Sequence, residues 1–507
     1  MKTKNLLFCV VLFCIFSIVS NNSFSNNISV SNFSLTGQNV SGHYSMVKFD
    51  ISWENSWRVS SPLNNWDAAW VFVKYRIGSG EWQHTWLNNT GHINPSGSTI
   101  TPGLLDPSLP FNSTTNPGLG AFIYRDAYGT GTFTKTGVQL RWNYGDNGVS
   151  DNAIIDIRVY AIEQVYVPQG PFSLGSGGTE DGAFYKYPTI ANPYQITSED
   201  AIIVGTTAGN LYYPSGLGDT GDQLGPIPSA FPKGYNAFYC MKYEISQQGY
   251  VDFLNSLTQT QANNRKYNSS GNRHAITGTS PGSYVTTNPF VAMPFLSWAD
   301  LAAYLDWSGL RPMTELEYEK SCRGTQTPVV NEYAWGTSER TNSPYTLSNM
   351  GQNNENIATN YSTSTTAGNV AFSSTTFNVN INGPVRSGIF AGNGLNTGRV
   401  TSGATFYGIM EMTGNVDERP VTAGNVTGRS FTGKNGNGLI DADGNADVLL
   451  WPPTATAVGV GFRGGNFGLT PAWGLQVSDR HFAARIIASN SRGALYGGRG
   501  VRSVPLQ

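Results

Sequence analysis

Cysteine is scarce in this chain: Cys9, Cys14, Cys240 and Cys322 are the only four in 507 residues. So few thiols cannot form the disulfide framework of a small stapled fold. Charge is scarce as well, at 13% of residues, and 31 Lys and Arg against 33 Asp and Glu leave a net charge of −2. That balance gives no global pull toward nucleic acid or an anionic membrane. Histidine is limited to His43, His84, His92, His274 and His481, none spaced to share a helix face, so no histidine metal motif is present. No Ser/His/Asp set or phosphate loop stands out. Beyond the first 25 residues no apolar run is long enough to cross a bilayer, which argues against a transmembrane segment.

Glycine is plentiful, with 59 residues beside 26 prolines, and apolar residues make up 39%. These figures describe a folded, turn-rich chain with short elements and a weakly charged surface. Residues 1–25 read as a signal peptide: Lys2 and Lys4 form a basic start, and the apolar core from Leu6 to Val19 is short for a membrane span. Phe13 precedes Cys14 where a lipoprotein box needs a small residue, so the expectation is a soluble protein, secreted or periplasmic. Export removes Cys9 and Cys14. Cys240 and Cys322 each sit inside a segment that packs as core, which favours two buried thiols over a disulfide.

Residues 26–162 carry the alternation of β-strands. Val47 to Trp53, Ala69 to Tyr75, Val138 to Trp142 and Ile155 to Ala161 are rich in β-branched and aromatic side chains, separated by Gly, Asn, Pro and Ser loops. An antiparallel β-sandwich is expected, packed directly on the C-terminal domain because its last strand runs into Val165 almost without a linker. Trp53, Trp57, Trp66, Trp70, Trp82, Trp86 and Trp142 crowd this half. Exposed tryptophans would suit a glycan platform, but strand tryptophans are more often core or inter-domain packing.

Residues 163–507 form the second unit. A helix should start at Ser246, with Tyr250, Phe253, Leu254 and Leu257 on one face. Capping boxes at Ser297/Asp300 and Thr314/Glu317 announce two more, stopping at Gly309 and Gly324. Residues 325–460 show almost no periodicity. The tail is organised around Gly461-Phe-Arg-Gly-Gly-Asn-Phe467 and its echo Gly497-Gly-Arg-Gly-Val-Arg-Ser503, glycine spacing that suits tight turns.

Five segments in order resemble the formylglycine-generating enzyme family, the sulfatase-modifying factor domains. They are Val165 to Gly175, Phe238 to Gln247, Leu296 to Tyr304 running on to Thr314–Glu319 and Arg323-Gly324, Tyr407 to Val416, and the tail. The resemblance implies a loop-rich, C-type-lectin-like domain whose irregular loops are held by calcium, and makes the whole chain α+β. Catalytic members bind copper through two cysteines just past an Arg-Gly-Gly-Ser-type turn, since soft sulfur holds Cu(I). Here the turn is Arg463-Gly-Gly-Asn466 and no cysteine lies beyond Cys322. Neither copper nor, without a His-x-x-x-His arrangement, iron is therefore expected.

Calcium is the ion the resemblance implies. The family's Gly-Leu-Tyr-Asp-Met-x-Gly-Asn-Val-Trp-Glu motif appears as Gly408-Ile-Met-Glu-Met-Thr-Gly-Asn-Val-Asp-Glu418. Carried across by position, Glu411 and Glu418 become side-chain ligands, the carbonyls of Gly414 and Val416 join them, and Asn349 resembles a ligand of a second site. Asp417 stands where the family has tryptophan, and pairing of Glu418 with an arginine is the competing reading. Asp441, Asp443, Asn445 and Asp447 resemble the start of a further metal loop, but the closing glutamate of an EF-hand is absent and a plain turn is the simpler reading. Six arginines, Arg463, Arg480, Arg485, Arg492, Arg499 and Arg502, face a single acid, Asp479, in the last stretch. They form either a basic site or forks that tie backbone carbonyls in a loop-rich core, and the latter is favoured.

These readings point to an exported, non-catalytic binding or assembly protein of bacterial type. Its partner would be an extracellular protein or glycan, met by Asn466, Phe467, Leu469 and Trp473. The rivals are a metal-dependent oxidoreductase of the sulfatase-modifying factor or non-haem iron type, and a structural component of a cell-surface complex.

Overall fold

The computed structural model describes residues 27–61, 63–372, 381–468 and 472–504, without the side chains of Ala472 and Trp473. The expected signal segment lies outside the described residues.

The strand Tyr44–Arg58 shows why a sheet forms first. Val47, Phe49, Ile51 and Trp53 alternate with more exposed neighbours, so one face is apolar. It pairs antiparallel with Ser29–Asn39 on one side and Gly129–Trp142 on the other. Its buried face shares a hydrophobic cluster with Ala69, Val71 and Val73 of strand Asp67–Ile77 and with Val159 and Ala161 of strand Ile155–Val167. Leu87 bridges to both Gly118 and Trp142, and Arg58 to Trp66, tying the two sheets at their margins.

Asp67–Ile77 departs from simple alternation: residues 67–75 are all buried. Its second face, with Trp70 and Phe72, packs against the helices of the C-terminal half. The Trp70 indole N–H donates to the Ser308 carbonyl at 2.8 Å, and Phe72 meets Trp307 edge-on at 5.1 Å. A strand covered on both faces reads as a continuous apolar run, and this one does. Trp53, Trp70 and Trp142 are thus core residues.

Strand Ile155–Val167 joins the two halves. It pairs along its length with Asp67–Ile77, and its end from Gln164 to Val167 also pairs with Phe238–Met241, which in turn pairs with Val501–Ser503. One seven-stranded sheet therefore runs through both halves. At the junction the buried Lys242 ammonium reaches Glu163 at 2.9 Å and Asp67 at 3.2 Å.

Helices Gln247–Leu254, Trp298–Trp307 and Glu315–Arg323 begin at Ser246, Ser297 and Thr314, the last two with complete capping boxes. A fourth, Gln259–Arg265, is capped by Thr258 and Gln261; it has two buried residues and no apolar stripe, so periodicity did not reveal it. The long irregular stretches contain only two- to four-residue strands and single helical turns.

Candidate functional site

The segment Tyr407–Glu418 winds tightly. Glu411 and Asn415 adopt left-handed φ of 52° and 64° beside Gly414 at 84°, a conformation that costs a non-glycine residue on the order of 1–3 kcal/mol. At Gly414 a Cβ would lie 2.5 Å from the Ala371 carbonyl oxygen, so the position needs glycine. The winding is held by Asn415, whose carboxamide accepts from the Val385 amide at 2.8 Å and donates to Glu244 at 2.5 Å.

Glu411 and Glu418 are carried inward by this turn, 5% and 1% exposed. Glu411 accepts the Gly388 amide at 2.8 Å, and Glu418 pairs with the Arg499 guanidinium. Glu244 joins them, accepting the Val416 amide at 3.0 Å. Burial pushes all three carboxyls up, Glu411 to about 7. Arg499 is the guanidinium that contacts this group; its Nη1 donates to the Met241 and Lys242 carbonyls, and its Nη2 is buried without a partner. The second carboxylate oxygens of Glu411 and Glu418 are buried without partners. Among the described residues no hydrogen bond reaches the Gly414 or Val416 carbonyl. This donor set, all hard oxygen, is of the kind calcium takes. Among the described residues, however, no group of three His, Cys, Asp or Glu side chains is placed to hold a metal ion.

Asn349 lies apart, in an exposed turn closed by the Gln352 amide on its carbonyl at 3.0 Å. The buried acid of that loop is Glu355, which is committed to Arg273 and to the amides of Gly351 and Arg386. Asp441 caps its own loop, accepting the amides of Asp443 at 3.0 Å and Asn445 at 2.7 Å, while Asn445 accepts from Arg265 at 3.1 Å. Asp447 accepts from Asn437 at 3.2 Å. That arrangement is a self-capped turn docked on helix Gln259–Arg265.

Glu418 and Arg463 exchange backbone hydrogen bonds at 3.1 and 3.0 Å, joining the motif to the Arg-Gly-Gly turn. Beneath the turn Arg463 reaches Glu315 at 2.9 Å, Glu319 at 3.0 Å and the Val477 carbonyl at 2.6 Å. Arg480 binds Glu315 and the Gly182 carbonyl, and Arg502 the Gly309 and Leu104 carbonyls. The tail arginines Arg463, Arg480, Arg499 and Arg502 are internal ties, each 2% exposed or less.

Beside the turn is a cavity of about 200 Å³ lined in part by Asp417, Asn466, Phe462, Asp479 and Tyr496. Asn466 donates to Asp417 at 2.9 Å, and burial pushes the carboxyls of Asp417 and Asp479 up to about 7. Arg419 stacks on Phe462 at 4.6 Å, its three guanidinium nitrogens without partners. Of the residues expected to meet a ligand, Asn466 lines this cavity but is itself 3% exposed, its carboxamide donating to Asp417 and accepting the Gly468 amide at 2.9 Å. Phe467 corrects the expectation: it is 6% exposed in a cluster with Val416, Ala292 and Tyr345, because its amide is fastened to the Asn415 carbonyl at 2.8 Å. Leu469 and the side chain of Trp473 lie outside the described residues.

Cys240 and Cys322 are both free thiols in one apolar cluster. Burial pushes Cys240 up to about 12 and Cys322 up as well. Sequence reasoning missed Glu244 and Glu355. An acid between Tyr243 and Ile245, in a segment whose one other charged residue is Lys242, was the available signal for the first; Glu355 sits among asparagines and gives none.

No curated protein sequence matches the chain. The family described as sulfatase-modifying factor enzyme 1-like domain matches residues 159–428. That stretch starts inside the shared strand, takes in the four helices and the 408–418 motif, and covers more than half of the chain. The chain belongs to the sulfatase-modifying factor enzyme 1-like domain family.

Proposed function

We propose that this is an exported, non-catalytic binding or assembly protein, in which a β-sandwich is fused to a C-type-lectin-like domain of the family. The observation that carries the reading is chemical. Copper oxidation of a substrate cysteine needs thiolates just beyond the Arg-Gly-Gly turn, and no cysteine follows Cys322. The two thiols that remain are buried in apolar surroundings and cannot serve instead. Recognition of an extracellular protein or glycan then falls to loops on a rigid base, with Asn466 in the lining of the small cavity. The basic start and short apolar core of residues 1–25 support export to the periplasm or beyond.

The reading also gives Glu411, Glu418 and the carbonyls of Gly414 and Val416 to a structural calcium ion. The unpartnered oxygens of both glutamates support it, since a divalent cation would satisfy them and balance the excess of negative charge left by Arg499. Two measurements on the purified exported chain test the proposal. With copper or ferrous iron, oxygen and a cysteine peptide, no oxygen consumption is expected. Calcium is expected to raise the thermal midpoint, an increase that Glu411→Gln with Glu418→Gln removes. Stoichiometric copper or iron accompanied by peptide oxidation would overturn the non-catalytic reading, and an unchanged midpoint would remove calcium from it.

A further inference from the structure

A larger cavity, of about 630 Å³, opens where the two halves meet, and it shares no residue with the one beside the Arg-Gly-Gly turn. We infer that it is a binding site for a neutral oligosaccharide, floored by Trp57 and Phe406. The inference goes beyond the proposed function and rests on the reading of the protein as a non-catalytic binding module.

Trp57 is fixed and still half-buried rather than enclosed. Its indole N–H donates to Asn65 at 2.7 Å, its backbone N–H donates to Asp67 at 3.0 Å, and the Lys242 ammonium stands 4.8 Å from the ring centre. At Gly408, with φ of 85°, a Cβ would come within 2.9 Å of the ring, so glycine lets the indole lie against the main chain of the family domain. Phe406 is half-buried beside it and packs edge-on against Tyr407 at 5.0 Å. Tyr407 lines the same cavity, is 2% exposed, and its hydroxyl has no hydrogen-bond partner. Rigid aromatic faces of this kind offer contact area at little conformational cost. The cavity volume and its place between domains are those of ligand sites.

The polar groups decide the ligand class. Asn55, Asn353 and Asn354 are exposed at the cavity, and none of their carboxamides makes a hydrogen bond to another described residue. A carboxamide both donates and accepts, matching hydroxyl groups that do the same. The cations that line the cavity are each anchored within the protein. Lys242 is paired with Glu163 and Asp67, Arg386 donates to the Glu355 carbonyl at 2.8 Å, and Arg399 donates to the Ala334 carbonyl at 2.8 Å. A neutral sugar, with an apolar ring face for the aromatics and hydroxyls for the free amides, matches the lining best.

The test is calorimetric titration of the full exported chain with neutral hexasaccharides of glucose (both linkages), xylose, mannose and N-acetylglucosamine. At least one should bind one to one. Trp57→Ala should abolish binding. The pair Asn353→Ala with Asn354→Ala should weaken it at least fivefold without moving the thermal midpoint, and Ile154→Ala, at an exposed position outside the cavity, should leave it unchanged. Should Trp57→Ala fail to fold, the asparagine pair decides. Binding of none of the five sugars, undiminished binding in the variants, or Trp57-dependent capture of a peptide in place of any sugar would each overturn the inference. Such failure leaves the oxygen-consumption assay untouched, and oxidase activity would sink the parent reading without altering the Trp57 result.

Discussion

Replacing Lys242 with methionine should uncouple the two halves of the molecule energetically. The ammonium is 1% exposed and stands 2.9 Å from Glu163 and 3.2 Å from Asp67, side chains that are themselves 1% and 0% exposed. Burial opposes the charge on Lys242, but Glu163, Tyr243 and Asp67 outweigh it and hold the ammonium above the ordinary lysine range. Two contacts near 3 Å at an effective dielectric of about 20 amount to roughly 10 kcal/mol of gross attraction. Desolvation cancels most of that, and breaking a buried pair from one side costs about 3–5 kcal/mol. The loss should fall on Glu163. Asp67 keeps the Trp53 and Ser56 side chains and the Trp57 amide as donors, whereas one Glu163 oxygen lacks a partner already. Burial also pushes the Glu163 carboxyl up to about 7. Without Lys242 it rises further, so the native state holds a proton that the unfolded chain releases above about 4.3. The variant should therefore lose least near pH 5 and the full amount at pH 8. Urea unfolding followed by both tryptophan fluorescence and far-ultraviolet circular dichroism measures this. One coincident transition is expected, shifted by about 3–5 kcal/mol at pH 8, with Glu163→Gln restoring most of the loss in the Lys242→Met background. A loss under about 1 kcal/mol at pH 8, no rescue, or two separated transitions would refute the account of the shared strand as an energetic junction.

Asp417→Asn should stabilise the protein by more at pH 8 than at pH 5. Burial puts the Asp417 carboxyl at about 7 against an ordinary value near 3.8, so between those limits the folded state binds the extra proton and stability falls as pH rises, by at most about 1.4 kcal/mol per unit. Asparagine removes that loss while keeping an oxygen for Asn466, and equal thermal midpoints at pH 8 would contradict the burial argument. For the thiols, Ellman's reagent should find none accessible in the native protein lacking residues 1–25 and two after unfolding in guanidinium without reductant. A rapid native reaction would mean that Cys240 or Cys322 is not enclosed, and none after unfolding would mean that they pair.

The chain order of amino acids was enough for whatever depends on neighbours a few positions apart. The helix starts at Ser246, Ser297 and Thr314 are local hydrogen bonds between a hydroxyl and an amide three residues on, so spacing alone reveals them. Family membership was equally legible from five short segments, and the want of thiols past the turn needs no coordinates. What only the tertiary structure decided concerns partners far apart in the chain. Asp67–Ile77 is covered on both faces because helices centred near residue 303 close its second side. Strand Ile155–Val167 belongs to both halves, so a boundary drawn at 162 divides one strand. Arg463, Arg480 and Arg499 meet acids 81 to 165 positions upstream, Glu418 among them, which is why an arginine was foreseeable beside that glutamate but Arg499 was not. Phe467 looked like a surface anchor and is core, since whether an aromatic is exposed depends on what folds over it and not on its neighbours in sequence. Local geometry is written in adjacent residues; burial and charge pairing are properties of the closed chain.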